Sequence, residues 1–294
     1  MRAALFAVVL LLPAGCGATP VRSDGHLDVV AAEGFWGSVA AQLGGPHVQV
    51  TSVLDGAGAD PHEYEPTAAD ARRVADARVA VVNGADYDPW AKQLLRAGAT
   101  GPRAVVDAGE LAGAGAGDNP HLWYDPATVD RVAGALTAAY VAADPAHAAA
   151  YAQLHHRFEQ TALRRYHREL AAIRSRYAGI QVGASESIAE PLARALGLRL
   201  VTPGAFLRAV SEGAEPAAGD RAAVERQLRR HEVRAWLWNT QNATPDVRRL
   251  TALARREGIP VVALTETPSP PSARFQDWQV RQLAALRRAL GATR

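Results

Sequence analysis

The sequence predicts an α/β protein with two lobes, each a mostly parallel sheet flanked by helices, joined by one long rigid helix. Short apolar runs typical of strands alternate with helical patterns in both halves of the 294-residue chain. Between the halves, residues 146–177 keep a helical apolar spacing and contain neither proline nor glycine. Alternation of strands and helices favours a mostly parallel sheet with helices on its faces.

The first half contains four predicted strands and three predicted helices. The strands are residues 27–32, Val48–Leu54, Val79–Val82 and 104–106, and the helices are residues 35–43, a helix beginning at 66–70, and Pro126–Ala143. At the start of the second helix, Thr67 is predicted to be the N-cap, and Asp70 is predicted to reach back in a capping box.

The second half repeats this order. Its predicted strands are residues 180–184, 235–238 and Val261–Leu264, and its helices are residues 187–196, 245–257 and 272–290. Gly197 closes the first of these helices and Thr244 caps the second. The intervening helix, about 33 residues long, would form a rod of roughly 50 Å. We therefore expect an N-terminal lobe at 27–143, a connecting helix at 144–178 and a C-terminal lobe at 179–294.

The N-terminus has the pattern of a secretory signal. Arg2 is followed by an apolar run over residues 3–12, which is too short to span a bilayer, and then by small residues before Cys16. The sequence around Cys16 resembles a bacterial lipobox, although Pro13 occupies the position where leucine is preferred. The prediction is a signal peptide at 1–15, a lipidated Cys16 and a tether at 16–26. The alternative is a secreted protein cleaved nearby; both place the mature protein outside the cytoplasm.

Composition argues against nucleic-acid binding and against an internal disulfide. The net charge is only +2, and no basic stripe is interleaved with aromatic residues, so a nucleic-acid partner is not expected. Because Cys16 is the only cysteine, an internal disulfide is excluded.

Four side chains are candidates for a metal site. In open α/β sheets, functional groups follow the carboxyl ends of strands, and this rule selects His62, Glu186 and Glu266. A fourth candidate, His121, lies in a proline-led turn. Two imidazoles and two carboxylates together neutralise a divalent cation, which lowers the cost of burying it. Nitrogen and oxygen donors suit Zn²⁺, Mn²⁺ or Fe²⁺, and the absence of thiolates argues against Cu(I).

The residues alone leave other interpretations open. Each histidine also fits an ordinary turn, each glutamate also fits a helix cap, and no close pair such as His-Glu-x-x-His is present. The stretch Asn239-Thr240-Gln241-Asn242 follows a strand end and is predicted to support the ligands through hydrogen bonds, with Asn239 and Gln241 as its first candidates. Glu212 lies in an acidic loop, which is either plain surface or a gate that docks on a permease.

Two sequence motifs resemble a known family. DPHEYEPT at residues 60–67 and NPHLWYDP at residues 119–126 are similar to the two histidine signatures of the zinc/manganese solute-binding proteins of ABC transporters. The resemblance covers the mature chain and implies two α/β lobes that hold a metal ion between them. By this resemblance His62, His121, Glu186 and Glu266 are the metal ligands. Glu266 stands where the family usually has aspartate.

The resemblance also implies the function and the partners. The expected protein captures Mn²⁺ or Zn²⁺, with Fe²⁺ as a further candidate, and delivers it to an ABC transporter permease. It is expected to be a monomer, lipid-anchored through Cys16 or periplasmic, and not an enzyme. Glu186, where some zinc importers have histidine, and the short segment at 109–118 favour manganese. Two rival functions stay open at this point: a secreted metal-dependent hydrolase and an adhesive surface lipoprotein.

Overall fold

A computed structural model describes residues 25–56, 64–98 and 103–292 and confirms the predicted fold class. It contains two four-stranded sheets in which every neighbouring pair of strands is parallel. The first lobe is built on the sheet of order β2-β1-β3-β4, and the second on the sheet of order β6-β5-β7-β8. The predicted signal peptide, Cys16 and His62 lie outside the described residues, as does nearly all of the tether.

The strands and helices are bounded as follows. The strands are β1 Leu27–Glu33, β2 Val48–Leu54, β3 Val79–Val82, β4 Ala104–Asp107, β5 Gln181–Ala184, β6 Arg199–Leu200, β7 Trp236–Asn239 and β8 Val261–Leu264. The helices are α1 Gly34–Gly44, α2 Ala68–Asp76, α3 Pro89–Ala97, α4 Ala108–Ala112, α5 Pro126–Ala143, α6 Ala148–Arg157, α7 Arg164–Tyr177, α8 Ala189–Leu196, α9 Gly204–Ser211, α10 Ala218–Arg229, α11 Pro245–Arg256 and α12 Phe275–Gly291.

Parallel pairing brings the carboxyl ends of neighbouring strands to one edge of each sheet. In the first sheet Glu33 is level with Leu54, and Val82 is level with Asp107. In the second sheet Asn239 is level with Leu264. In each sheet, the residues that follow these strands therefore lie at the same edge. Loops at this edge carry the functional groups of open α/β proteins.

Local capping rules predicted the start of α2 correctly. The Thr67 hydroxyl accepts the backbone N–H of Asp70, and the Asp70 carboxylate accepts the N–H of Thr67 at 2.8 Å. This reciprocal pair is a capping box, which satisfies two N–H groups that have no partner within the helix. The hydroxyl of Tyr64 also donates a hydrogen bond to Asp70 at 2.9 Å. The capping box therefore also fixes the position of the chain just before the helix.

The connecting segment is bent rather than one regular helix. After a 3₁₀ turn at Pro145–His147, α6 and α7 are separated by a π-helical turn at Phe158–Ala162, where the N–H of Leu163 donates to the carbonyl of Phe158 at 2.9 Å. The expectation of an unbroken helix missed this turn because the sequence contains no proline or glycine there. The wider turn keeps both Phe158 and Leu163 buried although they are five positions apart.

One hydrophobic core runs through both lobes. It contains Val29 and Val81 from the first sheet together with Val182 and Leu237 from the second. Polar contacts accompany it, because Gln42 of α1 and Gln276 of α12 exchange two side-chain hydrogen bonds, at 2.8 and 3.1 Å. The lobes are thus packed as one unit, with their strand-end loops directed at a shared site.

Among the described residues, the helices do not include one whose length and apolar character would let it cross a bilayer.

Candidate metal centre

Three of the four predicted ligands meet between the lobes. One ligand atom from each of His121, Glu186 and Glu266 lies within 4.8 Å of the other two. The three residues are 1%, 1% and 8% exposed, respectively, so the cluster is enclosed by protein. His121 belongs to the first lobe, whereas Glu186 and Glu266 follow β5 and β8 of the second. The remaining predicted ligand, His62, lies outside the described residues.

His121 presents one ring nitrogen to the cluster and uses the other for support. Its Nε2 lies 3.7 Å from Oε1 of Glu186. On the opposite side of the ring, Nδ1 lies 2.9 Å from Oδ1 of Asn119, and the backbone N–H of His121 donates to the same oxygen at 3.0 Å. Histidine ligands commonly donate the second N–H to such an acceptor, which orients the ring.

Glu186 is anchored through both carboxylate oxygens. Oε1 accepts the N–H of Ile188 at 2.6 Å in the turn before α8. The helix itself has Ile188 as its N-cap and no side-chain cap, so Glu186 does not cap α8 as one alternative interpretation held. Oε2 faces the Ser211 hydroxyl at 3.3 Å and the Asn242 amide at 3.5 Å. Burial raises the pKa of Glu186, while these hydrogen bonds act in the opposite direction. A nearby cation would stabilise the ionised carboxylate further.

Glu266 receives one hydrogen bond from each lobe. Asn239 at the end of β7 donates to its Oε1 at 2.8 Å, and the hydroxyl of Tyr87 donates to its Oε2 at 2.9 Å. Gln241 fixes the backbone around this carboxylate, since its Oε1 accepts the N–H of Glu266 at 2.7 Å and of Thr267 at 3.1 Å. Asn239 and Gln241 therefore lie where supporting residues were predicted.

The turn that carries Tyr87 has an unusual backbone. Gly84, Ala85 and Asp86 all have positive φ angles, of 72°, 50° and 59°. Only glycine adopts this region without a steric cost, so two of these three residues are strained. The Asp88 carboxylate stabilises the turn by accepting the N–H groups of Asn83 and Gly84 at 2.7 and 2.8 Å. Strain of this kind accumulates at functional sites.

The sequence interpretation missed three supporting residues: Tyr87, Asn119 and Ser211. Asn242 lies in the strand-end stretch at 239–242 that was predicted to supply supporting hydrogen bonds, and its amide faces Glu186. Asn119 stands two positions before His121 and Tyr87 follows β3, so adjacency and the strand-end rule were available signals for those two. Ser211 carried no such signal. Glu212, the predicted gating residue, is exposed at the end of α9, and the contact with Glu186 is made by its neighbour Ser211.

The fold, with a buried nitrogen and oxygen cluster between two parallel-sheet lobes, is that of the periplasmic metal-binding receptors. Among solved structures, the Mn-bound periplasmic metal binding protein from Candidatus Liberibacter asiaticus superimposes with a TM-score of 0.73 at 16% identity, covering 89% of this chain and 98% of that one. The SBP FpvC of P. aeruginosa, solved in complex with Ni²⁺, gives a TM-score of 0.70 at 21% identity, covering 92% and 99%.

The chain belongs to the family described as zinc-uptake complex component A, periplasmic, whose model matches residues 29–289. A curated relative, the manganese-binding lipoprotein MntA of Halalkalibacterium halodurans, is 32% identical over 146 residues, which make up 47% of this chain and 48% of that protein. The chain thus matches the curated relatives over about half of their length.

Proposed function

We propose that this protein is an extracytoplasmic solute-binding protein that captures one divalent transition-metal ion between its lobes and delivers it to an ABC importer. The observation that carries the proposal is the convergence of His121, Glu186 and Glu266, three buried donor groups from widely separated parts of the chain. Family membership supports a transport receptor rather than an enzyme.

The proposed coordination shell has four protein ligands. His121 supplies Nε2, Glu186 and Glu266 supply carboxylate oxygens, and His62 supplies the fourth donor. Support for His62 comes from the motif at residues 60–67, which stands between β2 and α2. A shell closed by four protein ligands leaves no open position for water, whereas a catalytic zinc site typically keeps one. Neither the hydrolase nor the adhesin interpretation gains support from the family.

The proposed cargo is Mn²⁺ or Zn²⁺, with Fe²⁺ as a further candidate. Two neutral imidazoles and two carboxylates make a site whose charge of −2 balances the ion. Two oxygen donors favour harder ions more than an all-histidine site would. The curated relative MntA is named for manganese, the two structural neighbours were solved with Mn and with Ni²⁺, and the family description names zinc. Glu186 and Glu266 together favour manganese.

The proposed partners follow from this role. Cys16 is proposed to carry the lipid that anchors the protein to the outer face of the membrane, and the protein is proposed to act as a monomer. The exposed loop that begins at Glu212 is proposed to contact the permease, because Ser211 beside it touches Glu186. Movement of this loop would then disturb a ligand and assist release.

The test is a thermal melt of chelator-treated mature protein with and without Mn²⁺, Zn²⁺ or Fe²⁺. A bound ion at 100 times its dissociation constant adds about 2.7 kcal/mol, or roughly 5–10 °C in a protein of this size. Glu186→Gln should remove most of this shift, whereas Glu232→Gln, on the exposed surface, should retain it. Absence of a metal-dependent shift in the unmodified protein would refute the proposal.

A further inference from the structure

The side chain of Asn119 uses every hydrogen-bonding position that a carboxamide has. Its Oδ1 accepts from the N–H of His121 at 3.0 Å and lies 2.9 Å from Nδ1 of the same residue. Its Nδ2 donates to the carbonyl of Ser187 at 2.7 Å and to Oε2 of Glu190 at 2.8 Å. An amide has two acceptor and two donor positions, so none remains unused.

These partners also fix the orientation of the amide. The Ser187 carbonyl and the Glu190 carboxylate can only accept hydrogen bonds, so the NH₂ group must face them. The oxygen of Asn119 therefore faces His121, which must carry a proton on Nδ1 to complete that contact. In the neutral ring, Nε2 then carries the lone pair, and this atom lies 3.7 Å from Oε1 of Glu186 in the cluster. This is the tautomer that binds a metal ion through Nε2.

The two ends of the Asn119 amide contact different lobes. His121 lies in the first lobe, whereas Ser187 and Glu190 follow β5 and lie at the start of α8 in the second. Ser187 is the residue after Glu186, and its carbonyl is therefore one peptide away from a proposed ligand. A single side chain thus connects the residue that carries Nε2 to the backbone that carries the Glu186 carboxylate.

We propose that Asn119 is a positioning residue that, together with Glu190, forms a strut between the lobes and holds His121 and Glu186 at metal-binding separation before the ion arrives. The inference rests on the proposed function, since it assigns support to the same site. It explains why a carboxamide is required: an aspartate at position 119 would still accept from His121 but would place a second negative charge against Glu190 and leave the Ser187 carbonyl without a donor.

The test compares Asn119→Asp, Glu190→Gln and the double variant by competition for Zn²⁺ with a chromophoric chelator at pH 7.5. Loss of residues that support metal ligands typically costs 10–100-fold in affinity. Asn119→Asp should weaken binding by roughly that factor, and Glu190→Gln alone by less than about threefold, because its amide oxygen still accepts. In the double variant the introduced glutamine amide can donate to the introduced aspartate carboxylate, so we expect about tenfold of the loss to be recovered.

Recovery of Zn²⁺ affinity in the double variant is the result that a merely structural role of Asn119 would not give. As a control for charge, Asp118→Asn changes an adjacent exposed residue whose carboxylate accepts the N–H of Gly115 at 2.9 Å, and it should leave affinity unchanged. If Asn119→Asp does not fold, Glu190→Ala decides the matter, since it removes the far end of the strut without touching His121; a loss of about three- to tenfold is expected.

Two kinds of failure are distinguishable. Unmodified protein that binds none of the metals refutes the proposed function itself. If the unmodified protein binds Zn²⁺, two results refute the strut while leaving the metal site intact. One is an Asn119→Asp variant that binds Zn²⁺ as tightly as the unmodified protein. The other is a double variant that binds Zn²⁺ no more tightly than Asn119→Asp.

Discussion

The hydroxyl of Tyr87 donates a hydrogen bond to Oε2 of Glu266 at 2.9 Å, although the two residues are 179 positions apart in the chain. Tyr87 belongs to the first lobe, and Glu266 follows the last strand of the second. Both side chains are buried, and Asn239 holds the other oxygen of the carboxylate. Both lobes therefore hold the carboxylate of Glu266, a proposed metal ligand, in place. Its position depends on how the two lobes are packed.

Removal of this hydroxyl is the first test. Tyr87→Phe should weaken metal binding by about tenfold, because a ligand loses one of the groups that orient it. It should also destabilise the metal-free protein by about 1.5–3 kcal/mol, the cost of losing a hydrogen bond to a charged group. Competition with a chelator and urea denaturation measure the two effects.

A matched control exists in Tyr166, which is also fully buried but whose hydroxyl has no hydrogen-bond partner among the described residues. Tyr166→Phe should leave metal affinity unchanged. Equal affinity losses in the two variants would show that Tyr87 acts through packing alone.

We expect the stability of the protein to depend on pH through the carboxyl group of Glu33. Glu33 is 1% exposed and lies at the carboxyl end of β1. Burial, followed by the negative charge of Asp88, raises the pKa of Glu33 well above its usual value. The folded state therefore binds a proton that the unfolded state releases. The contribution of Glu33 to stability is present below the ordinary glutamate pKa and is lost as pH rises toward the folded-state value.

Glu33→Gln should flatten this dependence. At pH values above the ordinary glutamate pKa, the free energy of unfolding of the unmodified protein should fall more steeply with pH than that of the variant, by up to about 1.4 kcal/mol per pH unit. Chelator-treated protein denatured in urea at a series of such pH values provides the measurement, with Glu232→Gln as an exposed control. Parallel curves for Glu33→Gln and the unmodified protein would contradict the assignment.

The π-turn predicts an unusual tolerance to deletion. A π-turn accommodates one residue more than a regular α-helix, and Gln160 is an exposed member of it. Deletion of Gln160 should convert the turn to α-helix and keep Phe158 and Leu163 buried, changing stability by roughly 1 kcal/mol or less.

Deletion of Ala171 from the regular helix α7 is the comparison. It rotates every later residue of α7 by about 100° and turns the buried Ile173 away from the core, which should cost more than about 4 kcal/mol. Thermal melts of both deletions test the idea. Similar losses would mean that the π-turn is not a one-residue insertion.

The sequence predicted features that depend on local rules. The strands with continuous apolar runs, such as Val79–Val82, and the capping box of Thr67 and Asp70 were found because short-range spacing determines them. The strand-end rule found Glu186 and Glu266, since parallel pairing brings such positions to a common edge.

Features that depend on tertiary contacts were not predicted. The contact of Ser211 with Glu186 joins two loops that are 25 positions apart in the chain, and no periodicity records it. The π-turn was not predicted because no helix-breaking residue marks it in the sequence. We attribute it to tertiary packing, since it lets both Phe158 and Leu163 be buried. The paired amides of Gln42 and Gln276 are likewise visible only once the lobes are packed.

The central claim is most directly tested by a crystal structure of metal-loaded protein with anomalous diffraction data at the metal edge. We expect one peak between the lobes, about 2.0–2.2 Å from Nε2 of His121, from a carboxylate oxygen of each of Glu186 and Glu266, and from a ring nitrogen of His62. A peak elsewhere, or an ion between the lobes that leaves any of these four side chains uncoordinated, would contradict the account.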